Sequence, residues 1–453
     1  MTRTLASPKT ELTGLLALGL PIILTQLMQI GNNTVAIVMM GRVGSREMAA
    51  IGLGGAFMIF VYLLCLGIMT SLSPTIAQHF GAGRERDIRR FFQQGLWMAL
   101  GVSVMAFFLL REMGRVMLWM SVDPEVVPLV QDYLDIVSWS MPAVCYYLAL
   151  RFVCEGIGHS QPMMMVSLLT LPVALVGNWA LIFGHLGFPA LGVRGAAWNL
   201  VLVMVLNTLG LLLYLALSRR YRSRHLFASF ALPGAEIWAL LKLGLPIAGT
   251  LVLDSGFFSM IALLMGQLGH VALAAHQAAI NYVTVVFMIP VGLSSATMAR
   301  VGQSIGRGDQ RQARRRGLLG IGVGVTLVLP SVLLALLLPG AIVALYTHDA
   351  SVTLVAVTLL TVAGLFQLFD AVFITAQGAL RGLKDVTGPL WISLLCYWLC
   401  GLPIAWFLGI QQGLGPIGLW YGMALGLGLT ALLLGLRFHT KSARLVTEHA
   451  KAA

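Results

Sequence analysis

The sequence predicts an all-α polytopic membrane protein, with twelve transmembrane helices in two pseudo-symmetric six-helix lobes. Three observations predict it. First, 58% of the 453 residues are hydrophobic and only 10% are charged. Soluble globular chains carry roughly 25% charged residues, so this chain cannot cover itself with polar surface and its solvent must be mostly lipid. Second, apolar segments of about 20 residues recur along the whole length, each long enough to cross the roughly 30 Å hydrocarbon layer. Barrel strands would be about 10 residues long with alternating polarity. Third, the two halves repeat each other in register.

In chain order, residues 1–11 form a cytoplasmic tail without the short apolar region and small-residue cleavage site of a signal peptide. The first lobe, 12–218, holds spans at 12–39, 48–78, 92–111, 125–153, 162–184 and 194–218. A basic connector, 219–234, reads as a cytoplasmic linker. The second lobe, 235–438, holds spans at 236–265, 271–300, 316–340, 352–380, 388–409 and 415–436, and a tail follows at 439–453. Loop charge sets the orientation. Arg84, Arg86, Arg89 and Arg90 fall on one side, with Arg219, Arg220, Arg222 and Arg224 and with Arg307, Arg311, Arg314, Arg315 and Arg316. The other side holds only Arg42, Arg46, Arg111, Arg115 and Arg194. The basic side is cytoplasmic, which places both termini inside. The net charge of +12 thus reports topology and not nucleic acid. The five cysteines lie in apolar stretches without metal spacing and read as small core residues; Cys396 and Cys400 share a helix face.

The repeat is carried by punctuation residues at one constant spacing. Leu18-Gly19-Leu20-Pro21-Ile22 matches Leu243-Gly244-Leu245-Pro246-Ile247, Thr25 matches Thr250, and Gly67 matches Gly292. Gln78, Gly81 and Gly83 match Gln303, Gly306 and Gly308. With six spans per half, both halves enter the membrane in the same sense, which makes a parallel repeat. Pro21 and Pro246 interrupt backbone hydrogen bonding inside spans one and seven, and are hinge candidates.

Two acids fall deep in apolar helices: Asp254 in span seven and Asp370 in span ten. An intramembrane carboxylate costs at least about 2.5–3.5 kcal/mol on insertion scales, and is by default a functional residue. The repeat partner of Asp254 is Gln29, and that of Asp370 falls near Val144 or Cys145, so the deep acids belong to the second half. Two carboxylates in one apolar lobe suit cation handling, either a proton or a hard cation such as Na⁺ at Asp254 and Asp370. Polar side chains that could line a cavity or make interhelical hydrogen bonds are Gln29, Asn33, Asn178, Gln277 and Asn281. His276 is expected near the outer end of span eight. No phosphate-binding loop of the Gly-x-x-x-x-Gly-Lys type is present, so ATP drive within this chain is unsupported, and no cofactor is implied.

The paired LGLP openings, Ala274-Ala275-His276-Gln277 with Asn281, and Leu380-Arg381-Gly382 after Asp370 resemble the multidrug and toxic compound extrusion (MATE) family, closest to its bacterial NorM-type branch. The resemblance implies antiport: a cation, Na⁺ or H⁺, enters while a cationic amphipathic drug leaves, as two lobes rock around a central cavity. It implies a multi-pass protein of the bacterial inner membrane that confers drug resistance. It also implies cation coupling at Asp254, where relatives commonly carry Glu, and at Asp370. One position departs from the pattern: relatives usually carry an Asp in span one, where this chain has Ala36. Two other readings compete. A lipid-linked oligosaccharide flippase of the same wider superfamily needs a cationic site, and the deep charge here is acidic. An intramembrane enzyme needs a nucleophile with a base or a metal cluster, and neither is visible.

Overall fold

The computed structural model describes residues 8–119, 126–222, 226, 232–347 and 349–452. Eleven helices are long and apolar enough to cross a membrane, and a bent pair makes the twelfth span. Span one is Pro8–Gly41. Span two is Ser45–Thr70, carried on by Leu72–Gly81. Span three is Glu85–Arg111. Span four is Val127–Ser138 and Ser140–Ile157, bent by 46°. Spans five and six are Gln161–Phe183 and Val193–Leu217. In the second half, spans seven to ten are Ala235–Gln267, His270–Gly306, Gln310–Leu337 and Ala350–Gly382. Span eleven is Thr387–Gln411 and span twelve Gly415–Ala452. Each helix overlaps its expected position, and the described residues contain no strand.

Surface and interior are arranged as lipid demands. Leu169, Leu213, Leu337 and Leu354 project outward, while Asn178, Asn199 and Asn207 are buried. Asn207 Oδ1 accepts from Thr170 Oγ1 at 2.9 Å, and Asn199 Nδ2 donates to the Ala174 carbonyl at 2.9 Å. Such bonds hold helices together where the hydrophobic effect between them is absent.

By contacts the chain forms two compact units. One is Leu24–Ala248; the other is Met1–Ile23 with Gly249–Ala453. Both boundaries lie inside continuous helices, just beyond Pro21 and Pro246, and not in the 219–234 connector. The opening of span one therefore belongs with the second half, and the opening of span seven with the first. Close glycine contacts show how. A Cβ on Gly292 would lie 2.9 Å from the Ile23 backbone nitrogen, and one on Gly67 would lie 2.2 Å from Ala248 Cα. Only glycine lets the backbones approach so near. These two contacts are repeat equivalents of each other, so the exchange is reciprocal.

Two expected boundaries differ from the helices observed. The first helix begins at Pro8, within the expected 1–11 tail; residues 1–7, Arg3 among them, lie outside the described residues. Of the 219–234 linker, residues 223–225, with Arg224, and 227–231 also lie outside them. The last helix runs through the expected 439–453 tail to Ala452. It continues because Phe438 and Ser442 are buried and because Arg437 and Lys441 pair with Asp385.

Candidate cation-coupling site

Five acids are buried among the described residues: Glu11, Glu155, Asp254, Asp370 and Asp385. Three sit at or beyond helix ends in salt bridges, Glu11 with Arg300 and Arg316, Glu155 with Arg151, and Asp385 with Arg437 and Lys441. Asp254 and Asp370 are in the bodies of spans seven and ten, 9% and 6% exposed, and neither forms a direct ion pair. Burial alone does not separate the halves, since Glu11 and Glu155 of the first half are buried near helix ends. Glu155, in span four, is fully enclosed, but it is neutralised by its own helix.

The two unpaired acids act electrostatically on each other and on the buried Tyr397. The Ser393 hydroxyl, the Gln377 amide and the Arg381 guanidinium act on Asp254. Asp254 Oδ1, Gln377 Nε2, Ser393 Oγ and Tyr397 Oη are all buried without a hydrogen-bond partner. Buried polar atoms are ordinarily paired, so these four keep hydrogen-bonding capacity inside the second half. Among the described residues no group of three His, Cys, Asp or Glu side chains could hold a metal ion.

Local structure positions these groups. Trp398 Nε1 donates to the Leu253 carbonyl at 3.2 Å, which ties span eleven to span seven beside Asp254. Tyr397 stacks on Phe257 with centroids 4.7 Å apart. The backbone from Leu394 to Gly401 is π-helical, a wider winding that recurs at functional sites. It changes the spacing on which the shared face of Cys396 and Cys400 was read; both are free thiols.

The other expected side chains are dispersed. Asn178 is buried, Gln29 half-buried and Asn33 exposed. Gln277 is exposed, and Asn281 accepts from the Tyr346 hydroxyl at 3.2 Å. His276 is buried and accepts from Trp420 Nε1 at 3.2 Å. Sequence reasoning missed Gln377, Arg381, Ser393 and Tyr397. It also missed the first-half pair, in which Arg151 Nε donates to Glu155 Oε1 at 2.8 Å and Arg151 Nη1 to Gln26 Oε1 at 3.2 Å. The available signal was an arginine four residues from a possible partner within an apolar helix.

A duplicated body of eleven membrane-length helices and one bent pair has the build of a polytopic membrane protein, and its relatives are transporters. The MatE family model matches it twice, at residues 21–180 and 246–407, each match starting on the repeated proline. A probable multidrug resistance protein NorM of Xanthomonas campestris is 37% identical over 96% of this chain and 94% of its own length. The multidrug resistance protein PmpM of Pseudomonas aeruginosa is 34% identical over 97% of this chain and 94% of its own. Among solved structures, a MATE protein in a bent conformation superposes with a TM-score of 0.88 at 18% identity, covering 97% of both chains. The chain belongs to the multidrug and toxic compound extrusion family and is of the NorM type.

Proposed function

We propose that this protein is a secondary multidrug efflux antiporter of the bacterial inner membrane, with both termini cytoplasmic. It exports cationic amphipathic compounds in exchange for Na⁺ or H⁺. The observation that carries the antiport reading is the burial of Asp254 and Asp370, two carboxylates in the bodies of spans seven and ten without ion-pair partners. The names of the relatives support a multidrug substrate range, and the basic loops support the orientation.

In this reading the cation binds the carboxylate pair from outside and drug affinity falls. The drug leaves, the lobes rock, and the cation is released inward. Each ligand must bind the two states with different affinity, since equal affinity shifts nothing. Hinges at Pro21 and Pro246 fit the unit boundaries that fall just beyond them. Gln29, Asn33, Asn178, Gln277 and Asn281 remain candidates for the drug path. The parting of the chain into lobes at the 219–234 linker belongs to the same proposal.

The test is ethidium accumulation in cells expressing Asp370→Asn or Asp254→Asn, followed by transport in proteoliposomes under separately imposed Na⁺ and pH gradients. Both variants should reach the membrane folded and lose cation-driven efflux. Near-wild-type efflux by Asp370→Asn would sink the assignment.

A further inference from the structure

The start of span nine carries a basic cluster that the cation-coupling reading does not use. Gln310-Arg311-Gln312-Ala313-Arg314-Arg315-Arg316 stands where the first half has Glu85-Arg86-Asp87-Ile88-Arg89-Arg90-Phe91. Three arginines keep their places in the repeat: Arg311 for Arg86, Arg314 for Arg89 and Arg315 for Arg90. The second half has glutamines in place of both acids, and it has a fourth arginine. Three arginines and two acids leave the first-half segment at +1, while four arginines and no acid leave the second at +4.

The structure sorts these charges. Arg316 turns inward, where Glu11 neutralises it. In the first half Asp87 Oδ2 lies 3.3 Å from His79 Nδ1, and Glu236 pairs with Arg90. Arg311, Arg314 and Arg315 stay outside and line one shallow groove with Leu318 and Leu319. Arg311 is exposed. Arg314 Nη2 donates to His439 Nε2 at 2.9 Å, an acceptor that brings no negative charge to cancel the guanidinium. Among the described residues neither Arg311 nor Arg314 is paired with a carboxylate.

The groove has two ends of different chemistry. A helix rises about 1.5 Å per residue, so Leu318 and Leu319 lie one to two turns further into the span than the arginines. Leu318 is 42% exposed. Cations therefore sit at the depth of lipid headgroups, and apolar side chains follow where acyl chains begin. The groove is also held in shape. A Cβ on Gly317 would collide with the Phe438 ring of span twelve, and Arg314 is bonded to the next residue of that helix, His439.

We infer that this groove is a binding site for an anionic phospholipid of the cytoplasmic leaflet, with the arginines on the headgroup phosphate and the leucines against the first acyl carbons. The choice of leaflet rests on the orientation proposed above. Guanidiniums pair with phosphate oxygens in bidentate fashion, and basic pockets at the cytoplasmic side of membrane spans hold such headgroups. Leu318 and Leu319 give a soluble phosphate nothing to bind, which favours lipid over a free anion. Arg315 is followed directly by Arg316, so a bound headgroup also steadies the turn that holds Glu11.

The experiment follows the thermal midpoint of the full-length protein in dodecyl maltoside micelles as phosphatidylglycerol, phosphatidylcholine or inorganic phosphate is added. Phosphatidylglycerol should raise the midpoint saturably, and the other two should not. Arg311→Gln combined with Arg314→Gln should raise the half-saturating phosphatidylglycerol concentration by on the order of tenfold. The repeat-equivalent pair, Arg86→Gln with Arg89→Gln, should leave it unchanged. Equal shifts in the two double variants would show a diffuse effect of charge and overturn the site. Equal stabilisation by phosphatidylcholine would overturn headgroup recognition, and equal stabilisation by inorganic phosphate would overturn lipid as the occupant. If the Arg311 and Arg314 double variant does not fold, Arg311→Gln alone decides, because that side chain makes no hydrogen bond or ion pair among the described residues; an unmoved half-saturation there overturns the inference. Micelles have no inside, so the orientation is tested apart. Labelling of Arg311→Cys by an impermeant maleimide in spheroplasts would overturn the cytoplasmic assignment and leave the lipid site standing.

Discussion

Glu11→Gln tests whether the start of span one is anchored by charge. The Glu11 side chain is 3% exposed. Its carboxylate accepts from Arg316 Nε at 2.8 Å, Arg316 Nη2 at 2.9 Å, Gln312 Nε2 at 3.0 Å and Arg300 Nη2. Arg316 also donates to Ser304 Oγ at 2.9 Å. The anchor thus joins the opening of span one to spans eight and nine. Glutamine has nearly the same shape but no charge, and its amide nitrogen would face donors. Two enclosed guanidiniums would then share no carboxylate. Breaking a buried pair in this way costs about 3–5 kcal/mol, most of it from the charges left behind. Purified Glu11→Gln should therefore show a markedly lower thermal midpoint in detergent, and Glu11→Gln with Arg316→Gln should recover part of the loss. If Glu11→Gln melts with the wild type, the cluster is solvated in membranes and the anchor argument fails.

Two further predictions concern packing and charge. Gly67→Ala should cost about 1–3 kcal/mol, because its Cβ would lie 2.2 Å from Ala248 Cα and 2.5 Å from Ala248 N, rigid backbone beside the proposed Pro246 hinge. Gly52→Ala, which meets nothing within 4 Å, should be neutral or stabilising by up to about 1 kcal/mol; equal melting of the two variants would refute the close approach. Asp385 lies in the turn before span eleven. Burial alone would raise its carboxyl, but hydrogen bonds and ion pairs from Arg437 and Lys441 outweigh it and hold the group below its ordinary value. A depressed acid stabilises the fold above its unfolded value of about 3.9, and the stabilisation is lost as pH falls through the folded value. Asp385→Asn should therefore melt earlier than wild type at pH 7, by about 1–2 kcal/mol once the partial exposure of Arg437 is allowed for. The gap should close below the folded value, and a gap that persists there would show that the effect is not ionic.

The fold was legible because its signal is large. Twelve apolar stretches and a gap-free repeat need no tertiary information, and every span overlaps its expected place. Asp254 and Asp370 were legible for a related reason: in an apolar helix a single carboxylate stands out. The groups around them were not. Ser393 and Tyr397 look like ordinary members of an apolar stretch, and the π-helical winding from Leu394 to Gly401 shifts the periodicity on which facing residues are read. Pairing near span ends is not legible. Glu11 falls in the expected tail and Arg316 in a basic loop, and their ion pair, like that of Arg151 with Glu155, leaves no trace in hydropathy, which locates a charge along a helix but not its partner.

A parallel duplication begins with two equivalent lobes, and two equivalent lobes would offer two equivalent cation sites. The charge pattern removes one of them. In the first half, Gln26 receives the Arg151 side chain and Glu155 neutralises it. Gln29 there stands where the second half has Asp254, and Ala36 adds no acid in span one. On the proposed reading that lobe is closed to the cation. In the second half spans seven and ten carry Asp254 and Asp370, buried and without ion-pair partners, so a cation bound there would act on one lobe alone. Installing a carboxylate at Gln29 should undo this. A Gln29→Asp variant gains an unpaired acid in the closed lobe and should either destabilise the protein or add a second cation dependence to ethidium efflux. A variant that is stable and keeps a single, unshifted dependence would show that the asymmetry of charge does not set the asymmetry of coupling.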